Sequence, residues 1–278
     1  MELNEQTVAE VVAAALREDV GSGDLTTTLL VPPEHRCRAQ LLLEEPGIVC
    51  GVQVAAAVFR ALEPTVTVTA VVEEGARVQN TPAALAELAG PAAAILTGER
   101  TALNLLARLC GIATLTRRYV DQVDGTGVTI LDTRKTTPGL RALEKYAVRC
   151  GGGQNHRFGL DDAILVKENH LRIAGDIGAA AAALAGHTAG IAVEMEAETL
   201  DQVADALEAG IERILLDNMT PDEVAQAVEL NAGRAKLEAS GGITLATIRT
   251  YAETGVDFVS VGALTHAARS LHVSLEVQ

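Results

Sequence analysis

The sequence contains very few aromatic residues. Among 278 residues there is no Trp, and there are only three Tyr and three Phe. Proteins that bind single-stranded nucleic acids stack the bases on aromatic side chains and present a basic surface, whereas this chain has a formal net charge of -15. Because that charge would repel a phosphate backbone, we expect no nucleic-acid partner.

Cysteine is sparse, and long apolar runs are missing. The four cysteines, Cys37, Cys50, Cys110 and Cys150, form no C-x-x-C pair, so neither a zinc ribbon nor a redox motif is indicated. We expect free thiols in a reducing compartment. The sequence has no run of about 18 apolar residues, so we expect no transmembrane helix. The acidic first residues are not typical of a signal peptide. These features predict a cytoplasmic protein without membrane attachment.

Positive charge is concentrated in one part of this acidic chain. Residues 134–172 contain eight Lys or Arg against four Asp or Glu, although the whole sequence has 22 against 37. Arg141, Lys145 and Arg149 have the spacing of one exposed helix face. The cations that do not share this spacing, and that need another explanation, are Arg134, Lys135, Arg157 and Lys167.

From about Gly127 onward, short β-rich segments alternate with helical ones, which predicts a parallel sheet. The six candidate strands are residues 128–132, 163–167, 191–196, 213–217, 235–240 and 258–262. Charges at their C-terminal ends favour an α/β barrel with its chemistry at that rim, and six strands rather than eight predict an incomplete, open barrel. A doubly wound sheet is the alternative, but no G-x-G-x-x-G motif follows a strand.

The first hundred residues have a different pattern, which predicts a smaller α+β sandwich domain. Its segments are a helix at 4–19, a GSGDLTT turn at 21–27, and β-rich stretches at 38–45 and 65–75. A long helix over 98–123 should lead into the barrel, and a strand at 273–277 should return to the first domain. We therefore predict an N-terminal domain over 1–104, completed by residues 270–278, and a barrel over 105–269.

Charges of both signs meet at the predicted rim. Arg134 and Lys135 follow the first predicted strand, and Lys167 ends the second. Glu194 and Glu196 lie on the third strand, and Asp217 ends the fourth. Carboxylates inside a barrel need a cation, a metal ion or hydroxyl groups as partners. The glycine-containing loops at 239–243 and 260–268 can offer backbone N–H groups to a phosphate. The pattern favours a small multivalent anion beside a phosphorylated sugar, with Mg²⁺ as a counterion for pyrophosphate.

Motifs spanning nearly the whole chain resemble the quinolinate phosphoribosyltransferase family, and the most specific is DTRKTTPGLRALEKYAVRCGGGQNHR at 132–157. The others are EDVGSGDLTT at 18–27, GERTALN at 98–104, CGIATLT at 110–116, LVKENH at 165–170, VEME at 193–196, LLDNM at 215–219, EASGGI at 238–243 and VSVGALTH at 259–266. The resemblance implies an open α/β barrel beside a sandwich domain. It also implies a decarboxylating pentosyltransferase, which transfers phosphoribose from phosphoribosyl pyrophosphate to quinolinate. The products would be nicotinate mononucleotide for NAD biosynthesis, pyrophosphate and CO2.

The resemblance also implies roles for individual residues. The expected quinolinate-binding residues are Thr133, Arg134, His156, Arg157 and Lys167, together with Arg100 from the neighbouring subunit of a homodimer. The residues expected to act in catalysis and to bind phosphoribosyl pyrophosphate with its Mg²⁺ are Lys135, Glu196 and Asp217. Those expected at the 5′-phosphate are Ser240, Gly241, Gly242, Val261, Gly262 and Ala263.

Three other functions stay open at the level of the sequence. A related transferase could act on another ring acid, such as nicotinate, without decarboxylation, but part of the cationic set would then be redundant. A barrel aldolase could use Lys135 or Lys167 to form a Schiff base. A non-catalytic protein could use the same charges to bind anions.

Overall fold

The computed structural model describes residues 3–184 and 190–278. Its helices are α1 (Glu5–Val20), α2 (Leu25–Leu30), α3 (Val52–Leu62), α4 (Ala92–Gln122), α5 (Arg141–Cys150), α6 (Glu168–Ala174), α7 (Ile177–Leu184), α8 (Leu200–Glu208), α9 (Pro221–Asn231), α10 (Ile248–Ala252) and α11 (Ala263–His266). Its strands are β1 (Arg36–Leu43), β2 (Gly47–Ile48), β3 (Thr67–Ala70), β4 (Arg77–Val78), β5 (Ala83–Pro91), β6 (Thr129–Leu131), β7 (Ile164–Val166), β8 (Val193–Ala197), β9 (Arg213–Asp217), β10 (Lys236–Ser240), β11 (Phe258–Ser260) and β12 (Val273–Val277).

The chain forms two compact units whose limits differ from the expected limits of 1–104 and 105–269. The N-terminal unit contains the chain up to Arg117 together with 136–152 and 264–278, and the C-terminal unit contains 118–135 and 153–263. The reason is that α4 is one continuous helix and that α5 packs with the N-terminal unit. There the Arg108 guanidinium of α4 contacts the Glu144 carboxylate of α5 at 2.8 Å.

The N-terminal unit is built on an antiparallel sheet with the strand order β12-β1-β5-β3. The expected return of residues 273–277 is confirmed, since β12 pairs with β1 and places Leu41 opposite Leu275. The interior of the unit is apolar, and Leu41, Leu43 and Phe59 have no exposed surface. The sequence prediction missed α3 and β5.

Two N-terminal helices differ from their predicted limits. The expected turn at 21–27 is in part a helix, because the Asp24 carboxylate accepts the Thr27 N–H at 2.9 Å and caps α2. The long helix α4 begins at Ala92 rather than at residue 98, so Arg100 lies within the helix and not at its start. No helix in the described ranges combines the length and hydrophobicity needed to cross a membrane.

The C-terminal unit is built on a parallel sheet with the strand order β6-β11-β10-β9-β8-β7. All six predicted strands are present, and the predicted segment 213–217 is β9 with the same bounds. The sheet does not close into a complete barrel, as expected. A further parallel bridge joins Leu131 of β6 to Gln154. The carboxyl ends of the six strands therefore form the edge at which functional side chains can gather.

Helix capping explains how the helices between these strands begin. The Thr220 hydroxyl accepts the Glu223 N–H while the Glu223 carboxylate accepts the Thr220 N–H, so α9 begins with a capping box. Thr199 caps α8 by accepting the Gln202 N–H at 3.3 Å. These caps fix where each helix starts, and hence the length of each loop at the sheet edge.

Candidate active site

A cavity of about 580 Å³ lies at the carboxyl ends of the parallel strands of the C-terminal unit. The predicted site residues that line it are Thr133, Arg134, Lys135, His156, Arg157, Lys167, Glu196, Asp217, Ser240, Gly241 and Gly242. They come from the ends of five strands and from the segment after Gln154. The structure therefore brings together eleven of the fifteen residues that the sequence singled out.

Asp132 positions the segment that carries two of the predicted ligands. Its carboxylate is completely buried. Its Oδ1 accepts the His156 N–H at 2.9 Å, and its Oδ2 accepts the Asn155 side-chain amide at 2.5 Å. Gln154 is held at the same edge, because its N–H donates to the Ile130 carbonyl at 2.8 Å. Asp132 thus fixes His156 and Arg157 relative to β6.

The cationic side of the cavity contains Arg134, Arg157 and Lys167. The Nε atom of Arg134 is buried and has no hydrogen-bond partner in the described part of the chain. Arg157 donates from Nη1 to the Ala163 carbonyl at 3.1 Å. Burial, and then the nearby Arg134 charge, lower the pKa of Arg157. Two guanidinium groups held near each other in a cavity favour an anionic ligand that would offset their repulsion.

Lys167 joins the cationic side to the anionic side. Its Nζ lies 2.6 Å from Glu196 Oε1, and its own backbone N–H donates to His170 Nδ1 at the start of α6. The Lys167 side chain keeps 46% of its surface exposed, so an incoming anion can reach the ammonium group. Lys135 lies on the loop after β6, and its N–H donates to the Thr133 hydroxyl at 3.0 Å.

His156 and Glu238, which line the cavity, belong to an ion cluster with Glu194 and Arg213. Arg213 donates from Nε to Glu194 at 2.8 Å and from Nη2 to Glu238 at 2.5 Å. His156 Nε2 lies 2.8 Å from Glu194 Oε2 and 3.6 Å from Glu238 Oε1. His156 Nδ1 accepts the Arg157 N–H at 2.7 Å, so its ring proton lies on Nε2, facing the two carboxylates.

Burial and charge shift the pKa values in this ion cluster in opposite directions. Burial, reinforced by the Glu194 charge, raises the pKa of Glu238 to about 7. For Glu194, His156 and Arg213 outweigh burial and lower the pKa of the carboxyl group. For His156, the two carboxylates outweigh burial and raise the pKa of the ring. The cluster therefore exchanges a proton near neutral pH.

The anionic side of the cavity is formed by Glu196 and Asp217, at the ends of β8 and β9. Burial, and then the Glu196 charge, raise the pKa of Asp217. The Asn218 side chain donates to Asp217 at 2.9 Å and orients it. Two adjacent carboxylates that repel each other favour a cation or sugar hydroxyl groups between them.

The loop after β10 needs glycine for steric reasons. Gly241 has a φ of +100°, and a Cβ atom there would lie 2.2 Å from Asn218 Oδ1. Gly242, at φ +60°, also has a left-handed backbone. With Ser240, these residues line the cavity, and their binding of a phosphate stays a prediction.

Four predicted site residues do not line this cavity. Val261, Gly262 and Ala263 follow the cavity-lining Ser260, but the Val261 N–H donates to the Leu131 carbonyl at 2.9 Å and is thereby occupied. Arg100 is exposed on α4, in the N-terminal unit. Their roles at the phosphate and at a neighbouring site stay predictions.

The sequence reasoning missed Asp132 and Arg213 as parts of the site. Asp132 stands at the end of a predicted strand, so its buried acceptor position could have been inferred. Arg213, Leu215 and Asp217 alternate along β9 and so share one face of the strand. That alternation, beside Glu194 and Glu238 on the flanking strands, was the available signal for a charged barrel interior.

Comparison with known proteins gives matches along nearly the whole chain. The model of "Quinolinate phosphoribosyl transferase, N-terminal domain" matches residues 24–110, and that of the C-terminal domain matches 112–276. A "Probable nicotinate-nucleotide pyrophosphorylase [carboxylating]" of Bacillus subtilis (strain 168) is 45% identical over 263 residues, 94% of this chain and 90% of the relative.

Another relative and a solved structure agree with these matches. The "Nicotinate-nucleotide pyrophosphorylase [carboxylating]" of Mycobacterium leprae (strain TN) is 42% identical over 274 residues, 96% of each chain. The crystal structure of NadC from Streptococcus pyogenes superposes with a TM-score of 0.95 at 39% identity, over 100% of this chain and 99% of that one.

Proposed function

Because the chain belongs to the quinolinate phosphoribosyl transferase family, we propose that its cavity binds quinolinate and phosphoribosyl pyrophosphate side by side. The protein is a decarboxylating phosphoribosyltransferase of NAD biosynthesis. It transfers phosphoribose to quinolinate and yields nicotinate mononucleotide, pyrophosphate and CO2. This placement of both substrates is supported by one observation: the cavity has a cationic side and an anionic side.

Quinolinate is a planar dianion that fits the cationic side. Arg134 and Arg157 can each bind a carboxylate through two N–H groups, and Lys167 supplies a third positive charge. Asp132 supports this arrangement because it fixes the backbone of His156 and, through it, the position of Arg157. Thr133 completes the cationic side at the end of β6.

Phosphoribosyl pyrophosphate fits the anionic side and the glycine loop. Glu196 and Asp217 accept hydrogen bonds from the ribose hydroxyl groups, and Lys135 contacts the pyrophosphate. The 5′-phosphate lies against the backbone of Ser240, Gly241 and Gly242, and the loop of Val261, Gly262 and Ala263 borders it.

The residues present also fit Mg²⁺ bound mainly through the pyrophosphate. Asp217 and Glu196 repel each other, and both provide the carboxylate oxygens that Mg²⁺ prefers. When bound with the substrate, Mg²⁺ neutralises negative charge on the leaving pyrophosphate. Glu196 and Asp217 hold the ribose and oppose the positive charge that develops on its ring.

The reaction requires little covalent chemistry from the protein. The pyridine nitrogen attacks the ribose carbon while pyrophosphate leaves, so no general base is needed. When CO2 departs, the electron pair of the carbon–carboxylate bond stays on the ring carbon beside the quaternary nitrogen, whose positive charge stabilises it, and that carbon then takes a proton from water. The cations around that carboxylate hold it in position and exclude water from it. The proton on His156 Nε2 stays directed at the carboxylates of Glu194 and Glu238.

Removal of one carboxylate clamp tests the placement of quinolinate. For Arg134→Ala we expect KM for quinolinate to rise about 100-fold, equivalent to roughly 2.7 kcal/mol, with a change below about threefold for phosphoribosyl pyrophosphate. Nicotinate mononucleotide and CO2 are measured with Mg²⁺ and each substrate varied. Arg172→Ala, an exposed cation outside the cavity, serves as the matched control. Equal losses for both substrates would refute the placement, while product without CO2 would indicate a substrate other than quinolinate.

We further propose that the protein works in the cytoplasm as a homodimer in which Arg100 completes the neighbouring site. The exposed position of Arg100 on α4 supports this, since its guanidinium is accessible to a partner subunit. Inactive Arg100→Ala and Lys167→Ala proteins should regain activity when mixed, because a heterodimer rebuilds one intact site. The expected recovery is about a quarter of wild-type activity if subunits exchange freely. Mass spectrometry verifies the exchange, and verified heterodimers without activity would exclude the shared site.

A further inference from the structure

Three thiols meet in the N-terminal unit, far from one another in sequence. Cys50 and Cys110 are completely buried, and the Cys110 sulfur contacts both the N–H and the carbonyl of Cys50 at 3.3 Å. The sulfurs of Cys50 and Cys150 and a carboxylate oxygen of Glu74 all lie within 4.8 Å of one another. We call Cys50, Cys110 and Cys150 the thiol cluster.

The three thiols differ in their surroundings. Cys150 is the last residue of α5 and is partly exposed. The thiol of Cys50 donates to its sulfur, the Tyr146 hydroxyl donates as well, and together they lower the pKa of Cys150 despite burial. Burial raises the pKa of Cys50, and it raises that of Cys110 to about 12. Cys150 is therefore the accessible member of the cluster and the one whose pKa is lowered, which favours the reactive thiolate form.

The contacts of Glu74 argue against a metal site in this cluster. Its Oε2 accepts the Gly51 N–H at 2.7 Å and its Oε1 accepts the Gln53 N–H at 3.4 Å, so the carboxylate already caps the start of α3. A metal ion would also require Cys50 as a thiolate, which its burial disfavours. Two neighbouring thiols, one of them partly exposed, are suited instead to disulfide formation.

We propose that Cys50 and Cys150 form a redox-active dithiol that reacts with small hydroperoxides. The Cys150 thiolate attacks the outer oxygen of the hydroperoxide, the O–O bond breaks, and the alkoxide leaves and takes a proton. Cys150 is then a sulfenic acid. The Cys50 sulfur attacks the Cys150 sulfur and displaces hydroxide, which leaves as water with the Cys50 proton. The two sulfurs lose two electrons in all, and the hydroperoxide is reduced to an alcohol, or to water if it is H2O2.

A disulfide between Cys50 and Cys150 requires only a small movement of the two sulfurs. A disulfide requires about 2.05 Å between sulfurs, so the pair must close by less than about 3 Å from its separation of at most 4.8 Å. Cys110 donates its S–H to the Cys50 carbonyl and remains a spectator.

Peptide mapping after H2O2 treatment of the whole protein tests this proposal. We expect a linked pair of peptides containing Cys50 and Cys150, lighter by two hydrogens and restored by dithiothreitol, while Cys37 and Cys110 alkylate once the protein is unfolded. In Cys50→Ser, Cys150 should accumulate sulfenic acid that reacts with dimedone. Cys150→Ser should form no intramolecular disulfide. Tyr146→Phe should slow oxidation several-fold without changing the product.

The matched control is Cys37→Ser, which removes the thiol outside the cluster and should leave the disulfide yield unchanged. Wild-type mapping needs no substitution, so it decides the question even if Cys50→Ser does not fold. A disulfide that contains Cys110, oxidation of Cys37 ahead of Cys150, or four unreacted thiols would overturn the proposal. Stoichiometric zinc that is lost in Cys150→Ser and blocks oxidation would also overturn it.

Discussion

The two units each bury an arginine against glutamate, but the two arrangements differ in charge balance. In the N-terminal unit, Arg108 binds Glu144 at 2.8 Å, and the other Glu144 oxygen accepts the Thr137 N–H at 3.0 Å. Arg108 also donates to the Ala268 carbonyl at 2.9 Å. One positive and one negative group are matched, and the remaining hydrogen-bonding capacity is used by the backbone.

In the C-terminal unit, one guanidinium is surrounded by three groups that can change charge. Arg213 serves both Glu194 and Glu238, and His156 approaches the same carboxylates. The Arg108 pair contains one positive and one negative group, whereas the His156 cluster contains two carboxyl groups whose pKa values are shifted in opposite directions. A pair that only holds a helix in place is fully satisfied, whereas a cluster beneath a substrate cavity keeps an exchangeable proton.

Replacing one glutamate by glutamine in each arrangement should give the largest difference in how the two arrangements affect stability. Glu144→Gln leaves the partly buried Arg108 guanidinium without a counter-charge, and we expect a loss of about 3 kcal/mol in the free energy of unfolding. Urea denaturation at pH 5 and pH 8 measures it. A loss below about 1 kcal/mol would mean that the Arg108 pair is not a structural ion pair.

Glu238→Gln should instead change how stability depends on pH. The pKa of Glu238 in the folded protein is about 7, above its ordinary value of about 4.3. Between these values the folded state binds the proton and the unfolded state does not, so the wild type loses stability as pH rises. The loss is at most about 4 kcal/mol. His156, with its raised pKa, adds a loss of the same sign at higher pH.

Glutamine resembles the protonated carboxyl group, so the variant should match the wild type within about 1 kcal/mol at pH 5 and should lose less stability up to pH 8. Urea midpoints at half-unit pH intervals follow the difference. Parallel pH profiles for wild type and variant would contradict an exchangeable proton on Glu238.

An exposed ion pair provides the smallest effect and a baseline for both comparisons. Lys236 lies 2.5 Å from Asp257 but keeps 67% of its side chain exposed. Lys236→Met should change the free energy of unfolding by no more than about 0.5 kcal/mol. A loss near 3 kcal/mol in the same urea assay would show that burial does not explain the difference in stability between this exposed pair and the Arg108–Glu144 pair.

The parallel sheet could be predicted because its strands are short apolar runs that end at or next to a charged or polar residue. The sequence therefore predicts that the segments ending at Lys167, Asp217 and Ser240 lie with these residues at one edge of the sheet. Parallel strands bring their carboxyl ends to the same side of a sheet, so strand order was not needed to expect that these side chains gather.

The buried network could not be predicted in the same way, because it depends on contacts across strands. Arg213 stands at the beginning of its strand, yet it reaches carboxylates on both neighbours. That contact requires the register that sets Arg213 beside Lys236, and Met195 beside Ile214. A single sequence contains no such register, and it does not show that α5 packs with the N-terminal unit.

The pairing of β12 with β1 has a consequence for the order in which the molecule is made. Leu275 lies opposite Leu41, so a ribosome must add more than 200 residues after β1 before its partner strand exists. At 5–20 residues per second that interval is between about 10 and 45 s. During it, one edge of β1 has no strand to pair with, which makes the nascent chain a natural client for chaperones that bind extended segments.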